Sequence, residues 1–284
     1  MLRTLRILLE MIKFEHTLFA LPFALMSAMV AARGVPPGWK LFWILVAMVG
    51  ARSSAMAFNR LADLEYDRRN PRTAGRALPA GLLTAAQAWA FTLATAGVFV
   101  VAAGRLNHLA LALSPVALGI VWGYSYTKRF TTWTHVFLGL SLGVAPVGAW
   151  IGVLGRFDVA PLVLAAAVML WTAGFDIIYA CQDVEVDRAE GLFSLPARRG
   201  IGTALAASAL LHAAMMGLLV WFGALAGLGA IYWAGLAVVA GAFVYEHSLV
   251  KPHDLGRVNA AFFTTNGFVS LALLCFTAAD VLIS

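Results

Sequence analysis

An all-α, multi-spanning bundle of transmembrane helices is the fold class that this sequence predicts, and three observations predict it. Hydrophobic residues make up 62% of the chain and charged residues only 12%, against about 25% charged in an ordinary soluble domain. Mean hydropathy is +0.85. The apolar residues fall in runs long enough to be membrane helices rather than barrel strands. The 284 residues are read as one integral-membrane domain, 1–284.

Residues 2–14 mix Arg3, Arg6, Glu10 and Lys13 with Leu and Ile, the pattern of a helix lying in the membrane interface. The first span, 16–33, contains Pro22 and is read as an uncleaved anchor. The following spans are expected at 39–66, 84–103, 107–124, 133–152, 159–186, 203–223, 228–247 and 258–281, nine in all. Gly34 to Gly38, Leu78 to Gly81 and Lys251-Pro252-His253 punctuate the breaks. The short gap between 103 and 107 makes the third and fourth spans a tight hairpin. Gly139 and Gly143 have the spacing of close helix packing, not of a phosphate loop. Trp39, Trp43, Trp133 and Trp221 read as belt or lipid-facing residues. His212 and Asn266, each inside an apolar span, read as internal hydrogen-bond partners.

Positive charge sets the orientation. With the N-terminus in the cytoplasm, fourteen loop lysines and arginines fall on the cytoplasmic side, against Arg33, Lys40, Arg105 and Arg156 on the other. The net charge of +6 is therefore explained by cationic loops. Nucleic-acid binding is excluded as a reading, because the basic residues are scattered through short loops. Cys181 and Cys275 form no CxxC, and the six histidines have no metal-ligand spacing.

Against this apolar background two acidic stripes stand out. The first runs Asn59, Asp63, Asp67 and leads into Arg68, Arg69, Arg72 and Arg76; the second runs Asp176, Tyr179, Asp183, Asp187. Each contains Asp-x-Glu-x-Asp-Arg, at 63–68 and 183–188, an echo that suggests an old duplication. At 100° per residue, Arg52, Met56, Asn59, Asp63 and Asp67 lie within about 80° on one helix face. Thr172, Asp176, Tyr179, Asp183 and Asp187 form an equally narrow stripe. Glu65 and Glu185 point away and are left out. Solvated helix ends would account for Asp67 and Asp187, but not for Asp176, which lies deeper. An ionised Asp at membrane depth costs about 2.5–3.5 kcal/mol on insertion scales, so such residues normally face a bundle interior and have a partner.

Carboxylates converging on one cavity repel each other unless a cation joins them. Hard oxygen donors without His or Cys suit Mg²⁺, which takes one or two carboxylates plus substrate phosphates and water. The arginines beside each stripe supply the other half of a phosphate clamp. The pattern suits an amphiphile with a diphosphate head at the cytoplasmic mouth and a hydrocarbon tail in the bundle or toward lipid.

The chain resembles the UbiA superfamily of intramembrane prenyltransferases. Asn59, Asp63, Asp67, Arg72 and Thr73 match its first motif, N-x-x-x-D-x-x-x-D with R-T following. Asp176, Tyr179, Asp183 and Asp187 match its second, D-x-x-Y-x-x-x-D-x-x-x-D. Tyr124-Ser125-Tyr126-Thr127-Lys128-Arg129 is similar to its Y-S-x-x-K-R element. The segment from Lys13 to Phe23 resembles the bacterial 4-hydroxybenzoate polyprenyltransferase-like branch of menaquinone and ubiquinone synthesis. The resemblance implies that Mg²⁺ ions held by Asp63, Asp67, Asp183 and Asp187 bind a polyprenyl diphosphate, with Asn59 adding or orienting a ligand. It implies that Arg68, Arg72, Lys128 and Arg129 stabilise the departing diphosphate. The allylic cation is then attacked by a ring carbon of an aromatic acid acceptor, ortho to a phenol, and Asp176 or the diphosphate removes the ring proton. Tyr124, Tyr126 and Tyr179 would flank the cation or pack on the acceptor, and Arg52 or His16 would meet an acceptor carboxylate. The cytoplasmic face of a bacterial inner membrane is the implied place, with membrane lipid around the bundle. Dihydroxynaphthoate, homogentisate, a haem or a glycerol phosphate remain as other acceptors, and a cation-coupled transporter as the rival class.

Overall fold

The computed structural model describes residues 7–8 and 17–283. The interfacial helix expected at 2–14 lies outside the described residues apart from 7–8, and His16 lies outside them too. Nine apolar helices follow one another among the described residues: α1 (Thr17–Ala32), α2 (Gly38–Ala62), α3 (Ala85–Leu106), α4 (His108–Thr127), α5 (Thr134–Leu154), α6 (Val159–Ala180), α7 (Ile201–Ala226), α8 (Ala230–Leu249) and α9 (Ala260–Ile283). Eight of them are long and apolar enough to cross a bilayer, and α1 is a shorter apolar helix. This is a multi-pass membrane protein.

The bundle is laid out by sequential packing. α2 packs on α3, α3 on α4, α4 on α5, α5 on α6 and α6 on α7; α8 packs on α9, which returns to α1, and α1 lies against α5. The α3–α4 hairpin is as tight as expected, with Asn107 alone between the helices. Asn107 caps α4 through the Ala110 N–H and donates to the Ile151 carbonyl at 2.7 Å, so the α3–α4 turn is tied to the end of α5. Lys40 donates to the Val153 carbonyl at the same end. The turns carrying Arg33, Lys40, Arg105 and Arg156 thus share one end of the bundle.

The glycine pair on α5 is a packing device. A Cβ on Gly139 would lie 2.1 Å from the Met169 carbonyl oxygen, and one on Gly143 would lie 2.8 Å from that of Ala165. Only glycine allows α5 this close to the α6 backbone. Gly139→Ala is therefore expected to push the two helices apart and destabilise the protein by about 1–3 kcal/mol or more. Thermal unfolding of the detergent-purified variant checks this, and an unchanged midpoint refutes it.

Several polar groups inside the spans are paired. His212 meets His247 at 3.0 Å and the Trp171 carbonyl at 3.2 Å. Asn266 accepts from the Trp171 indole at 2.6 Å and donates to Glu246 and to the Ala261 carbonyl. Both residues are internal hydrogen-bond partners, as their apolar surroundings predict. Asp280 accepts from the Gly229, Ile231 and Tyr232 N–H groups and so caps the start of α8.

Two of the expected helices are interrupted. The sequence predicts continuous helix over 39–66 and 159–186, but α2 ends at Ala62 and α6 at Ala180. Asp63 (φ −93°, ψ 4°) closes α2 and opens the short helix Leu64–Arg69. Cys181–Asp183 form a 3₁₀ turn, and Asp183 (φ −102°, ψ 8°) opens the short helix Val184–Ala189. Both aspartates sit in the sparsely populated bridge region favoured by active-site residues. Asp side chains compete with the backbone for hydrogen bonds, which weakens a helix where they stand. The Asp-x-Glu-x-Asp-Arg echo is thus also an echo of backbone conformation.

Candidate active site

The two interrupted helix ends face each other. Arg72, in the loop after the first motif, makes a two-pronged bond to Asp183 of the second, with Nε to Oδ1 at 2.9 Å and Nη2 to Oδ2 at 2.7 Å. Burial alone would lower the Arg72 pKa, but hydrogen bonds to Asp183 and its charge outweigh this and hold the pKa above its usual value. Arg72 therefore stays a cation. Its Nη1 also reaches the Tyr179 hydroxyl at 3.3 Å, and Asn70 donates to Asp183 at 3.5 Å. Arg69 pairs with Glu190 at 2.9 Å across the same gap.

The α2 break keeps the first stripe on one face, because the Asp63 N–H still bonds the Asn59 carbonyl and the Asp67 N–H that of Asp63. Asp63 and Asp67 are buried, and each has a cationic partner. Lys128 lies 2.8 Å from Asp63 Oδ2, and Arg129 Nη2 is 4.0 Å from Oδ1. Arg76 donates to both oxygens of Asp67 at 2.8 Å. Asn59 donates to Asp63 and to Ser125, tying the first motif to the Tyr124–Arg129 element of α4. Asp187 forms no ion pair with any described residue.

Beyond this polar mouth lies a cavity of about 630 Å³ between α2, α3, α4, α5 and α6, with Phe19 and Phe262 contributed by α1 and α9. Its walls are almost wholly apolar, from Ile44, Met48, Leu113, Val121 and Leu138 among others. Arg52, Tyr124, Thr172 and Asp176 are the polar exceptions that matter here. Asp176 is held by His135, whose Nδ1 lies 2.6 Å from Asp176 Oδ2.

Most of the residues singled out in the sequence come together here, but not all. Arg68 turns outward and pairs with Glu65, side chains 52% and 68% exposed, so it stands apart from the cluster. Glu65 and Glu185 are exposed, as their helix faces predict. Tyr126 is 41% exposed and stacks under Arg129 at 4.7 Å rather than facing the cavity. Tyr179 packs its ring on Phe262 at 4.2 Å and has the Arg72 guanidinium 5.5 Å from its centroid. Of the three tyrosines, only Tyr124 lines the cavity.

Arg76 and His135 join the cluster, although sequence reasoning passed over His135 and named Arg76 only among the clamp arginines. Arg76 was visible only as one of several arginines after the first motif, and nothing local distinguishes it from Arg68. His135 has no partner nearby in sequence, since Asp176 is 41 residues away.

The residues present fit a magnesium ion held jointly with a diphosphate. No three Asp, Glu, His or Cys groups among the described residues close on a metal by themselves. Mg²⁺ does not require that, because it takes few carboxylates and completes its shell with phosphate and water. Asp63 Oδ1 is buried with no hydrogen-bond partner, a hard oxygen left open where such an ion would bind.

Residues 20–271 match the UbiA prenyltransferase family. The chain belongs to that family. It is 36% identical to a UbiA homolog from Aeropyrum pernix K1 whose apo structure superposes with a TM-score of 0.86, covering 95% of this chain and 99% of that one. It is 34% identical over 236 residues to a 4-hydroxybenzoate octaprenyltransferase of Cupriavidus necator, covering 83% of this chain and 82% of that protein. A UbiA homolog from Archaeoglobus fulgidus bound to GPP and Mg²⁺ shares the fold, with a TM-score of 0.73 at 19% identity over 97% of this chain and 99% of that one.

Within this UbiA site, the outward turn of Arg68 separates two basic residues that the sequence treats alike. Lys128→Ala is expected to weaken donor diphosphate binding by about tenfold or more, since charged hydrogen bonds contribute roughly 1.5–3 kcal/mol. Arg68→Ala is expected to bind the donor within about twofold of wild type, because an exposed pair contributes little. Binding of a labelled prenyl diphosphate separates the two, and equal losses contradict the geometry.

Proposed function

We propose that the protein transfers a polyprenyl group from its diphosphate to an aromatic acid of the 4-hydroxybenzoate class, at the cytoplasmic face of a bacterial inner membrane. One observation carries the reading: the two aspartate motifs, joined through Arg72 and Asp183, cap the same two helices whose Arg52, Met56, Thr172 and Asp176 line an apolar cavity. A diphosphate fits the mouth and a hydrocarbon chain fits the cavity. A cation-coupled transporter would instead need its carboxylates near the bilayer midplane, whereas Asp63, Asp67, Asp183 and Asp187 sit at helix ends. The excess of lysine and arginine in the loops at the motif end supports the cytoplasmic orientation.

The chain's own groups suggest a sequence of roles. Lys128, Arg72 and Arg76 now neutralise Asp63, Asp183 and Asp67. When a donor binds, these cations are placed to turn from carboxylate to phosphate, and Arg129 stands beside Lys128. Asp63, Asp67, Asp183 and Asp187, with Asn59 orienting Asp63, would hold Mg²⁺, which supplies charge stabilisation to the departing diphosphate. The allylic C–O bond breaks as charge builds on the bridging oxygen. The apolar cavity keeps water from the allylic cation, and the Tyr124 ring can steady it by cation–π contact. The acceptor ring enters between Tyr124, Arg52 and Asp176, with Arg52 meeting its carboxylate. Its ortho carbon forms the new C–C bond, and the ring proton leaves to restore aromaticity.

Incubating purified protein with Mg²⁺, a labelled prenyl diphosphate and a panel of aromatic acids tests the reading. The expected product is a C-prenylated hydroxybenzoate, identified by mass. Transfer to dihydroxynaphthoate, homogentisate, a haem or a glycerol phosphate alone would reassign the acceptor. Transfer to none of them would sink the proposal.

A further inference from the structure

The ring proton needs a base, and the structure shows one carboxylate at the cavity that lies away from the two aspartate pairs. Asp176 lines the cavity, and its side chain is only 25% exposed. A carboxylate there must be aimed to be useful, and His135 alone among the described residues forms an ion pair or hydrogen bond with it.

The protonation of His135 follows from its partners. Its Nε2 faces the Leu195 backbone N–H at 3.3 Å. A backbone N–H can only donate, so Nε2 accepts. The imidazole proton then sits on Nδ1 and is donated to Asp176 Oδ2 at 2.6 Å. With both nitrogens engaged, His135 has no free lone pair with which to act as the base itself. It is 3% exposed and does not line the cavity.

The donor to His135 is itself held. Leu195 starts the short helix Leu195–Arg199 that follows the second aspartate motif. In the same strap the Phe193 N–H bonds the Lys128 carbonyl at 2.8 Å, and Arg188 donates to the Ala197 carbonyl at 3.0 Å. The strap therefore joins the residue that grips Asp63, the second motif and His135 in one hydrogen-bonded frame.

We propose that His135 is a positioning residue that fixes the Asp176 carboxylate as the acceptor of the ring proton. This rests on the aromatic-prenyltransferase reading above. In the step concerned, the ring C–H bond breaks and its electron pair returns to the ring. The proton goes to an Asp176 oxygen, forming an O–H bond, while the diphosphate has already departed with the charge of the broken C–O bond. His135 holds one carboxylate oxygen, which leaves the other free to face the ring. A misplacement of about 1 Å costs on the order of 10²-fold in rate.

The test compares His135→Leu, His135→Asn, Asp176→Asn and the double variant His135→Leu/Asp176→Asn in membranes, after wild-type turnover has established the reaction itself. His135→Leu should lose about 10²-fold in kcat, with the KM for the prenyl diphosphate unchanged. His135→Asn should recover most of the rate, because its amide nitrogen stands near the place of Nδ1 and can donate to Asp176. The double variant should be no slower than Asp176→Asn, since His135 acts only through that carboxylate. With a ring-deuterated acceptor, His135→Leu should show a larger isotope effect than wild type, because proton removal has become the slow step. A merely structural histidine would change none of these in this pattern. Multiplying losses, a parallel rise in donor KM, or an unchanged isotope effect in a slow variant would each overturn the proposal. If the leucine variant does not accumulate, an inactive but folded His135→Asn overturns it equally.

Discussion

Asp183→Ala is expected to reduce prenyl transfer by about 10²–10³-fold while leaving the bundle folded. The rate loss follows from the proposed role of Asp183 in holding the metal at the donor's diphosphate, where loss of a single stabilising group at developing charge typically removes about 10²–10³ in kcat. The folding claim follows from exposure. The Asp183 side chain is 18% exposed and its Arg72 partner 39%, so the orphaned guanidinium turns to water at little cost. Asp63→Ala should be as inactive but less innocent. Asp63 is 5% exposed and is approached by both Lys128 and Arg129, so its removal leaves cations crowded at a buried point. Far-UV circular dichroism and gel filtration of both variants, beside turnover, separate the two effects. Full activity in either variant would end the clamp.

Chelation is the second large effect. EDTA should stop turnover completely, and added Mg²⁺ should restore it. Asp63, Asp183 and Asp67 are neutralised by Lys128, Arg72 and Arg76. Those ion pairs make the site stable without metal, so chelation should leave the thermal midpoint nearly unchanged. They also compete with donor binding, because the same cations cannot hold carboxylate and phosphate at full strength together. Retention of a labelled prenyl diphosphate should therefore fall on chelation, together with rate. Turnover in metal-free membranes would contradict the arrangement, and so would donor retention that is indifferent to Mg²⁺.

The bundle was legible because membrane helices obey a local rule. Each span must bury its own backbone hydrogen bonds and face lipid with apolar side chains, so hydropathy alone places it. The aspartate stripes were legible for a related reason: charge at membrane depth needs a partner, and helical periodicity says which residues share a face. Asn59, Asp63 and Asp67 keep that face in the fold. The helix breaks at Asp63 and Cys181–Asp183 were not legible, since periodicity continues through them and the apolar flanks mask the loss of propensity.

Basic residues were the least legible part. Arg68, Arg72 and Arg76 lie within one short, charged stretch, and their side chains are long enough to point anywhere. The fold sends Arg68 to Glu65, Arg72 to Asp183 and Arg76 to Asp67. Tyr126 shows the same limit: one residue beyond Ser125, it faces out and stacks on Arg129.

By itself, then, the sequence determined the membrane class, the number of apolar helices and the two acidic faces, because each depends on composition and period within a single helix. The tertiary structure alone decided that Arg72 bridges to Asp183 and that Arg76 covers Asp67. It alone brought His135 to Asp176 and formed the apolar cavity beside them. Those are meetings between groups far apart in the chain, and only the packing of one helix on another sets which of them touch.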